Sequence, residues 1–474
     1  MIFAIARKEF VDAWRDGRFR LGAFVMVILL ATSTLLAWRQ TERTTHERAA
    51  ATALERENWL GQGQKNSHSA GHYGVNVFKP VAPLSLFDRG IEPFVGTTLF
   101  LEAHRQNQAA FAPAQDATAM RRFGELTGAV GLQLLAPLLI ILLAFGSVAG
   151  ERERGTLRQV LSLGVSPRAL VFGKTIGLGA ALACLFVPAF LLLFGALSSA
   201  EWVSTADVGA RLGWLALVYG VYLSTVLFVS ILVSTLAPSG KSALAILLAM
   251  WAAGSVIAPR LASDVVHASM PLIALADFEN EMNEDLQKGL DGHDPRSKRM
   301  EEFTQRVLRE NGKARVEDLP FNFRGLAMLE SERLAGEVFD HHFGRLWDRI
   351  DAQDRAVTFG GALAPMIALR TVSMGLAGTD FGRHRHFAVA AENHRREFVR
   401  VLNEDVMKNA SPENQAYAAG RELWEQLPVF ALDDVGLERV LERARLAIWI
   451  LIGWFIASGM ALFWAANRMK ASAA

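Results

Sequence analysis

The sequence is short of several things, and each shortage excludes something. One cysteine, Cys184, stands among 474 residues, and it lies in an apolar run, so no intrachain disulfide can form. Lys and Arg number 49 against 48 Asp and Glu, a balance of +1 that argues against nucleic acid as a partner. There is no His-Glu-x-x-His and no Gly-x-Ser-x-Gly, which removes the familiar signatures of zinc and serine hydrolases. Ser239-Gly240-Lys241-Ser242 ends like a phosphate-binding loop, but position 235, where the first glycine belongs, is Thr235. A long apolar segment precedes it rather than a short strand. The chain is therefore expected to carry no nucleotide site, no cofactor and no catalytic residue.

What is present is hydrophobicity, 51% of residues, gathered into runs near the length a bilayer requires. Residues 1–20 form an amphipathic pattern, with Ile2, Phe3, Ile5, Ala6, Phe10 and Val11 on one face and Arg7, Lys8, Asp12 and Asp16 on the other. This predicts a helix lying on the membrane. Apolar spans are predicted at 21–38, 126–149, 170–197, 212–236, 243–258 and 446–466. The fifth is short and is expected to stop at Pro259. Pro137 and Pro188 lie inside spans, where neighbouring helices must re-satisfy the freed carbonyls. Arg7, Lys8, Arg15, Arg18 and Arg20 precede the first span, and Arg468 and Lys470 follow the last. The positive-inside rule puts both termini in the cytoplasm, which six spans satisfy. The loop with Glu201 and Asp207 reads as external.

The polar segments 39–125 and 259–443 then fall outside. In the first, 39–57 continues as helix, a loop runs through Tyr73, and Pro80, Pro83, Gly90, Pro93 and Gly96 break the rest into turns and short extended pieces. In the second, helices are predicted at 277–311, 326–354 and 387–407. Residues 357–378 are apolar but contain Arg370 and Pro365, and read as a buried or re-entrant helix. The fold class is all-α: a polytopic membrane protein with six transmembrane helices and a mainly helical extracytoplasmic domain.

The stretch Gly150-Glu151-Arg152-Glu153-Arg154-Gly155-Thr156-Leu157-Arg158-Gln159-Val160-Leu161-Ser162 is too charged for the hydrocarbon core and belongs to a cytoplasmic loop, 150–169. Thr156 is expected to cap a short helix whose apolar stripe is Leu157, Val160 and Leu161, with Gly164 ending it and Ser166-Pro167 opening the next. Glu151 and Glu153 follow a helix C-terminus, where the macrodipole disfavours negative charge, and local physics explains them poorly. Elsewhere, Tyr219, Tyr222 and Ser224 put a polar stripe on the fourth span that could line a pathway, or tie helices together. His68 with His72, His341-His342, and His384 with His386, near acids such as Asp340 and Asp380, match no tight metal frame, and no metal is expected.

Glu-Arg-Glu-Arg-Gly-Thr-Leu-Arg-Gln-Val-Leu-Ser, followed by Val-Ser-Pro-Arg and Gly173-Lys174, resembles the first cytoplasmic loop of type-2 ATP-binding-cassette exporter permeases. Arg7-Lys8-Glu9-Phe10 also matches. The resemblance implies a bacterial inner-membrane permease that pairs with two copies of a separate ATPase, as a homodimer or a heterodimer with a similar permease. It assigns ATPase coupling to Glu151, Glu153, Gly155, Thr156, Leu157 and Leu161. A narrower resemblance rests on His72-Tyr73-Gly74-Val75, Phe78-Lys79-Pro80, Leu101-Glu102-Ala103-His104-Arg105, Leu319-Pro320-Phe321-Asn322 and Ala377-Gly378-Thr379-Asp380. It points to a subgroup with a large extracytoplasmic insert, related to the permease of nitrous-oxide reductase maturation. It implies export with the substrate class open, while the size of the two polar segments points to an alternative, a subunit that drives an extracytoplasmic partner without moving a substrate.

Overall fold

The computed structural model describes residues 1–115, 126–198, 200, 207–410 and 417–469. Glu201 and Lys470 lie outside the described residues. Among those described, six helices are long and apolar enough to cross a membrane. They are α2 (Gly17–Leu60), α4 (Gly128–Glu153), α6 (Pro167–Ser198), α7 (Val208–Leu236), α8 (Gly240–Ser269) and α16 (Arg445–Arg468). The described residues are all-α apart from one antiparallel hairpin, β1 (Val75–Phe78) with β2 (Thr98–Leu101), in which Val75 faces Leu101.

The termini of the spans follow helix chemistry. Asp16 caps α2 by accepting from the Arg18 amide. α2 then runs 44 residues without a break, about 66 Å at helical rise, and so extends well past a bilayer into the polar part of the chain. α4 carries a wide π-turn at Gly131–Leu135 just before Pro137. Proline supplies no amide, and the carbonyl it strands, that of Gln133, accepts instead from the Tyr222 hydroxyl of α7 at 3.2 Å. α8 corrects the sequence reading. It passes through Pro259 because a second π-turn at Ala253–Ile257 absorbs the proline, so the helix reaches Ser269.

The main core joins the spans to the segment Leu84–Phe87 and to α12 (Pro365–Ala377). In α12, Met366, Ile367, Ala368, Leu369, Val372 and Leu376 are buried. The apolar stretch 357–378 is therefore a break and a short buried helix packed on α7 and α16. Arg211, at the start of α7, donates to the carbonyls of Leu376 and Val435 and ties the end of α12 to the spans.

The two polar segments build one domain rather than two. From the first come the end of α2, α3 (Ser67–Tyr73) and the hairpin. From the second come α9 (Leu275–Lys288), α10 (Arg296–Asn311), α11 (Phe323–Phe359), α13 (Phe381–Asn409), α14 (Arg421–Gln426) and α15 (Leu437–Arg443). The loop expected through Tyr73 is helical from Ser67 because Asn66 caps it, accepting from the amides of His68 and Ser69. The helix expected over 277–311 is two helices, because Gly289 (φ 79°) and Gly292 (φ 71°) reverse the chain and Pro295 precedes the second. Trp59 of α2 packs with Phe398 of α13 and Trp424 of α14, and its indole N–H donates to the Trp424 carbonyl at 3.1 Å.

Candidate functional site

The charged stretch 150–163 is held by side chains that reach three different spans. Lys174 of α6 is 1% exposed and donates to Glu151 Oε1 at 2.8 Å and to Glu9 Oε1 at 2.7 Å. Glu9 comes from α1 (Ile2–Arg15), which crosses α6 so closely that a Cβ on Gly177 would lie 2.4 Å from the Ala6 carbonyl oxygen. Gly173 meets Ile5 in the same way, so Gly173 and Gly177 form the small-residue seat for α1. Arg152 donates to the carbonyls of Thr235 (2.8 Å) and Ala237 (2.6 Å), which have no intrahelical donor at the C-terminal end of α7. Glu153 Oε2 accepts from the Gly240 amide at 3.2 Å, at the positive N-terminal end of α8.

Glu151 and Glu153, which local physics explains poorly, therefore have partners inside the chain. The reason is tertiary: Glu151 meets a lysine on the next span, and Glu153 meets a helix start on another. Glu151 is largely covered and Glu153 is exposed.

The short helix is α5 (Thr156–Ser162). Its cap differs from the expectation. Gly155 (φ 75°) is the N-cap residue, and Thr156 sits in the first turn with its hydroxyl donating back to the Glu151 carbonyl at 3.2 Å. Leu157 is fully buried and Leu161 nearly so, packed with Val148, Leu170, Ile5 and Met469. Gly164 (φ 83°) ends the turn, and Ser166 caps α6 by accepting from the Ala169 amide. The face turned outward carries Arg154, Arg158, Gln159, Ser162 and Leu163, the last 84% exposed. α5 is thus a plate with an apolar underside fixed to α1, α4 and α6 and a cationic upper side with one bare leucine.

Tyr219 and Tyr222 are buried and spend their hydroxyls inside the bundle. Gln133 Nε2 donates to the Tyr219 hydroxyl at 2.8 Å, the latter lies 3.0 Å from Ser373 Oγ, and Ser373 donates to Asp88 at 2.5 Å. These residues tie α4, α7 and α12 to the polar segment. Both tyrosine hydroxyls thus bond to neighbouring helices within the chain, and Ser224 is half-buried on the same helix. His342 sits 2.8 Å from Asp285 against Phe278, and His386 is bound to the Asp433 carbonyl at 2.8 Å, so these histidines are parts of the packing. His68 and His72 do converge, with His104 as a third member that the sequence reading had placed in a different motif.

The sequence reading missed the role of Lys174. A lysine followed by a long apolar run demands a partner, and the glycines flanking it at 173 and 177 mark a close helix contact. Asp88 and Ser373 carried no comparable signal.

Residues 3–287 match the family described as ABC-2 family transporter protein, and residues 277–433 match a Domain of unknown function (DUF3526). No curated protein matches the chain. With the first match covering more than half of the sequence, and with six apolar helices to cross a bilayer, this multi-pass membrane protein belongs to the ABC-2 transporter family, whose membrane chains pair with a separate ATP-binding-cassette ATPase.

Proposed function

We propose that this chain is the permease subunit of an ATP-driven exporter and that α5 is the element its ATPase moves. One observation carries the reading: at the end of α4, where the chain turns into α5, successive side chains at 151, 152 and 153 engage α6, α7 and α8, so a displacement of α5 passed to that end reaches three further spans together. The exposed face then makes the contact, through Arg154, Arg158, Gln159 and Leu163. Glu151, Leu157 and Leu161 hold the plate in place, and Gly155 and Thr156 set its turn. In this arrangement α5 and both termini face the cytoplasm of a bacterial-type cell, and the polar domain stands outside the inner membrane. Two permease chains, identical or similar, pair with two ATPases. The apolar window of α8 is 11% buried within one chain, against 61% for α4, which leaves α8 a face for lipid or for the second permease. The motifs of the polar domain, together with the match of residues 277–433, support the subgroup with a large extracytoplasmic insert.

Co-expression with the partner ATPase tests the reading. The double variant Arg158→Glu/Leu163→Asp is expected to fold and insert normally, because neither side chain is buried, and to lose ATPase co-purification. Full recovery of the ATPase with that variant would remove α5 as the docking element.

A second reading is favoured by the continuity of α2, which carries span and polar domain on one 44-residue rod. ATPase strokes would then drive an external partner without translocating a substrate. Proteoliposomes that hydrolyse ATP, move no candidate substrate and yet change the protease sensitivity of the polar domain would favour it.

A further inference from the structure

Three histidines from separate parts of the polar domain meet at one point. His68 and His72 lie one turn apart on α3, and His104 lies in the turn after β2. His68 Nε2 is 3.2 Å from His72 Nε2 and 3.3 Å from His104 Nε2, and ligand nitrogens of all three fall within 4.8 Å of one another.

The opposite ring nitrogens are already committed. His68 Nδ1 lies 3.0 Å from Asn403 Oδ1, an acceptor on the fully buried Asn403 of α13. His104 Nδ1 lies 2.6 Å from Glu332 Oε1 of α11, a carboxylate that Arg395 pairs at 3.0 Å. An acceptor at Nδ1 fixes the proton there and leaves the lone pair on Nε2. Two Nε2 lone pairs, from His68 and His104, thus face each other at 3.3 Å. A proton on His72 Nε2 can bridge to His68 and leaves His104 unmet. A cation at the centre satisfies all three. Tetrahedral bonds of about 2.0–2.1 Å from metal to imidazole nitrogen set neighbouring nitrogens about 3.3 Å apart, the spacing found at His68.

The surroundings match a built site. A carboxylate or amide oxygen behind the ring is the usual orienting partner of a metal-bound histidine. His104 holds a positive φ of 67°, a conformation costly for a non-glycine residue, and its amide donates to the same Glu332 oxygen at 2.7 Å. Both His72 and His104 are exposed, so the fourth coordination position opens to solvent.

We propose that His68, His72 and His104 form a metal site that binds one divalent late first-row ion, zinc or copper(II), through three Nε2 atoms with the fourth position free. Three neutral imidazoles suit these ions rather than calcium or magnesium. The ligands come from the first polar segment and their orienting partners from the second, so the ion clamps the two halves of the domain together.

The full-length chain in detergent, carrying no polyhistidine tag and stripped with a chelator, is titrated calorimetrically with zinc sulfate and, separately, with copper(II) sulfate. One ion bound per chain with either metal is the expected result. His72→Ala/His104→Asn should weaken binding at least 100-fold, asparagine being chosen because it tolerates positive φ. Its melting temperature in chelator should equal that of the parent chain, which separates loss of the site from loss of the fold. Glu332→Gln should weaken binding about 10–100-fold. Failure of both ions to bind stoichiometrically, or wild-type affinity in the double histidine variant, would overturn the proposal.

Discussion

Buried charge is handled in opposite ways at the two ends of this molecule. Beneath α5, one buried cation joins two carboxylates: Lys174 stands between Glu9 and Glu151, and the other cation at Glu9, Lys8, is exposed. In the polar domain the charges are shared. Glu392 is paired by both Arg395 and Arg396, Arg395 also holds Glu332, and Arg396 also holds Asp340. The first arrangement is a pin that joins α1, the end of α4 that leads into α5, and α6. The second is a lattice in which loss of Arg396 leaves the buried Glu392 served by Arg395. A pin suits a part that must transmit motion as one unit, and a lattice suits a rigid block.

Removing the pin should give the largest effect. Lys174→Met leaves Glu151 without a cation and Glu9 with only the exposed Lys8 at 3.3 Å, a loss of about 3–5 kcal/mol. Thermal melting of the purified protein is expected to fall sharply, and Glu9→Gln with Glu151→Gln should recover most of it. No recovery would mean that Lys174 acts through its packing.

An intermediate effect separates the polar domain from the corner beneath α5. Burial, helped by the charge of Lys79 and opposed by Glu92, pushes His384 down to about 4 from its usual 6.5. The unfolded chain then takes up a proton below 6.5 that the folded one refuses until about 4. Stability is therefore full above pH 6.5 and falls as the pH drops from 6.5 towards 4. Melting curves across that window should show the decline, and His384→Gln should flatten it by a few degrees. An identical slope in the variant would place the pH sensitivity elsewhere.

The smallest effect tests the lattice itself. Arg396→Ala should cost at most about 1 kcal/mol, because Glu392 keeps Arg395 and the Asp340 pair is exposed. A loss as large as that for Lys174→Met would erase the contrast between pin and lattice.

Much of the membrane part was legible in the sequence because its signals are local. Apolar length located the six long helices, and Pro137 correctly demanded a donor from a neighbour, which proved to be Tyr222. The apolar stripe of α5 was readable from Leu157 and Leu161, since side chains four apart share a helix face. The partners of Glu151 and Glu153 were not readable. They lie 23 and 87 residues further along the chain, and no periodicity links such positions. The partners of Tyr219 and Tyr222 were not readable for a related reason: a polar stripe on a helix does not reveal whether it faces a cavity or another polar group.

The sequence by itself determined the elements: where apolar length makes a bilayer-spanning helix, where charge forbids one, and where glycine, proline and a capping side chain start or stop a helix. These follow from the energetics of neighbouring residues. The tertiary structure alone decided which charges meet and which stay on the surface. It folded the segments before the second span and after the fifth into one domain, turned Glu151 inward while leaving Arg158 and Leu163 outward, and brought His104 to His68 and His72. Those outcomes depend on the crossing of elements far apart in the chain, where burial makes an unpaired charge or lone pair too costly to leave unmet.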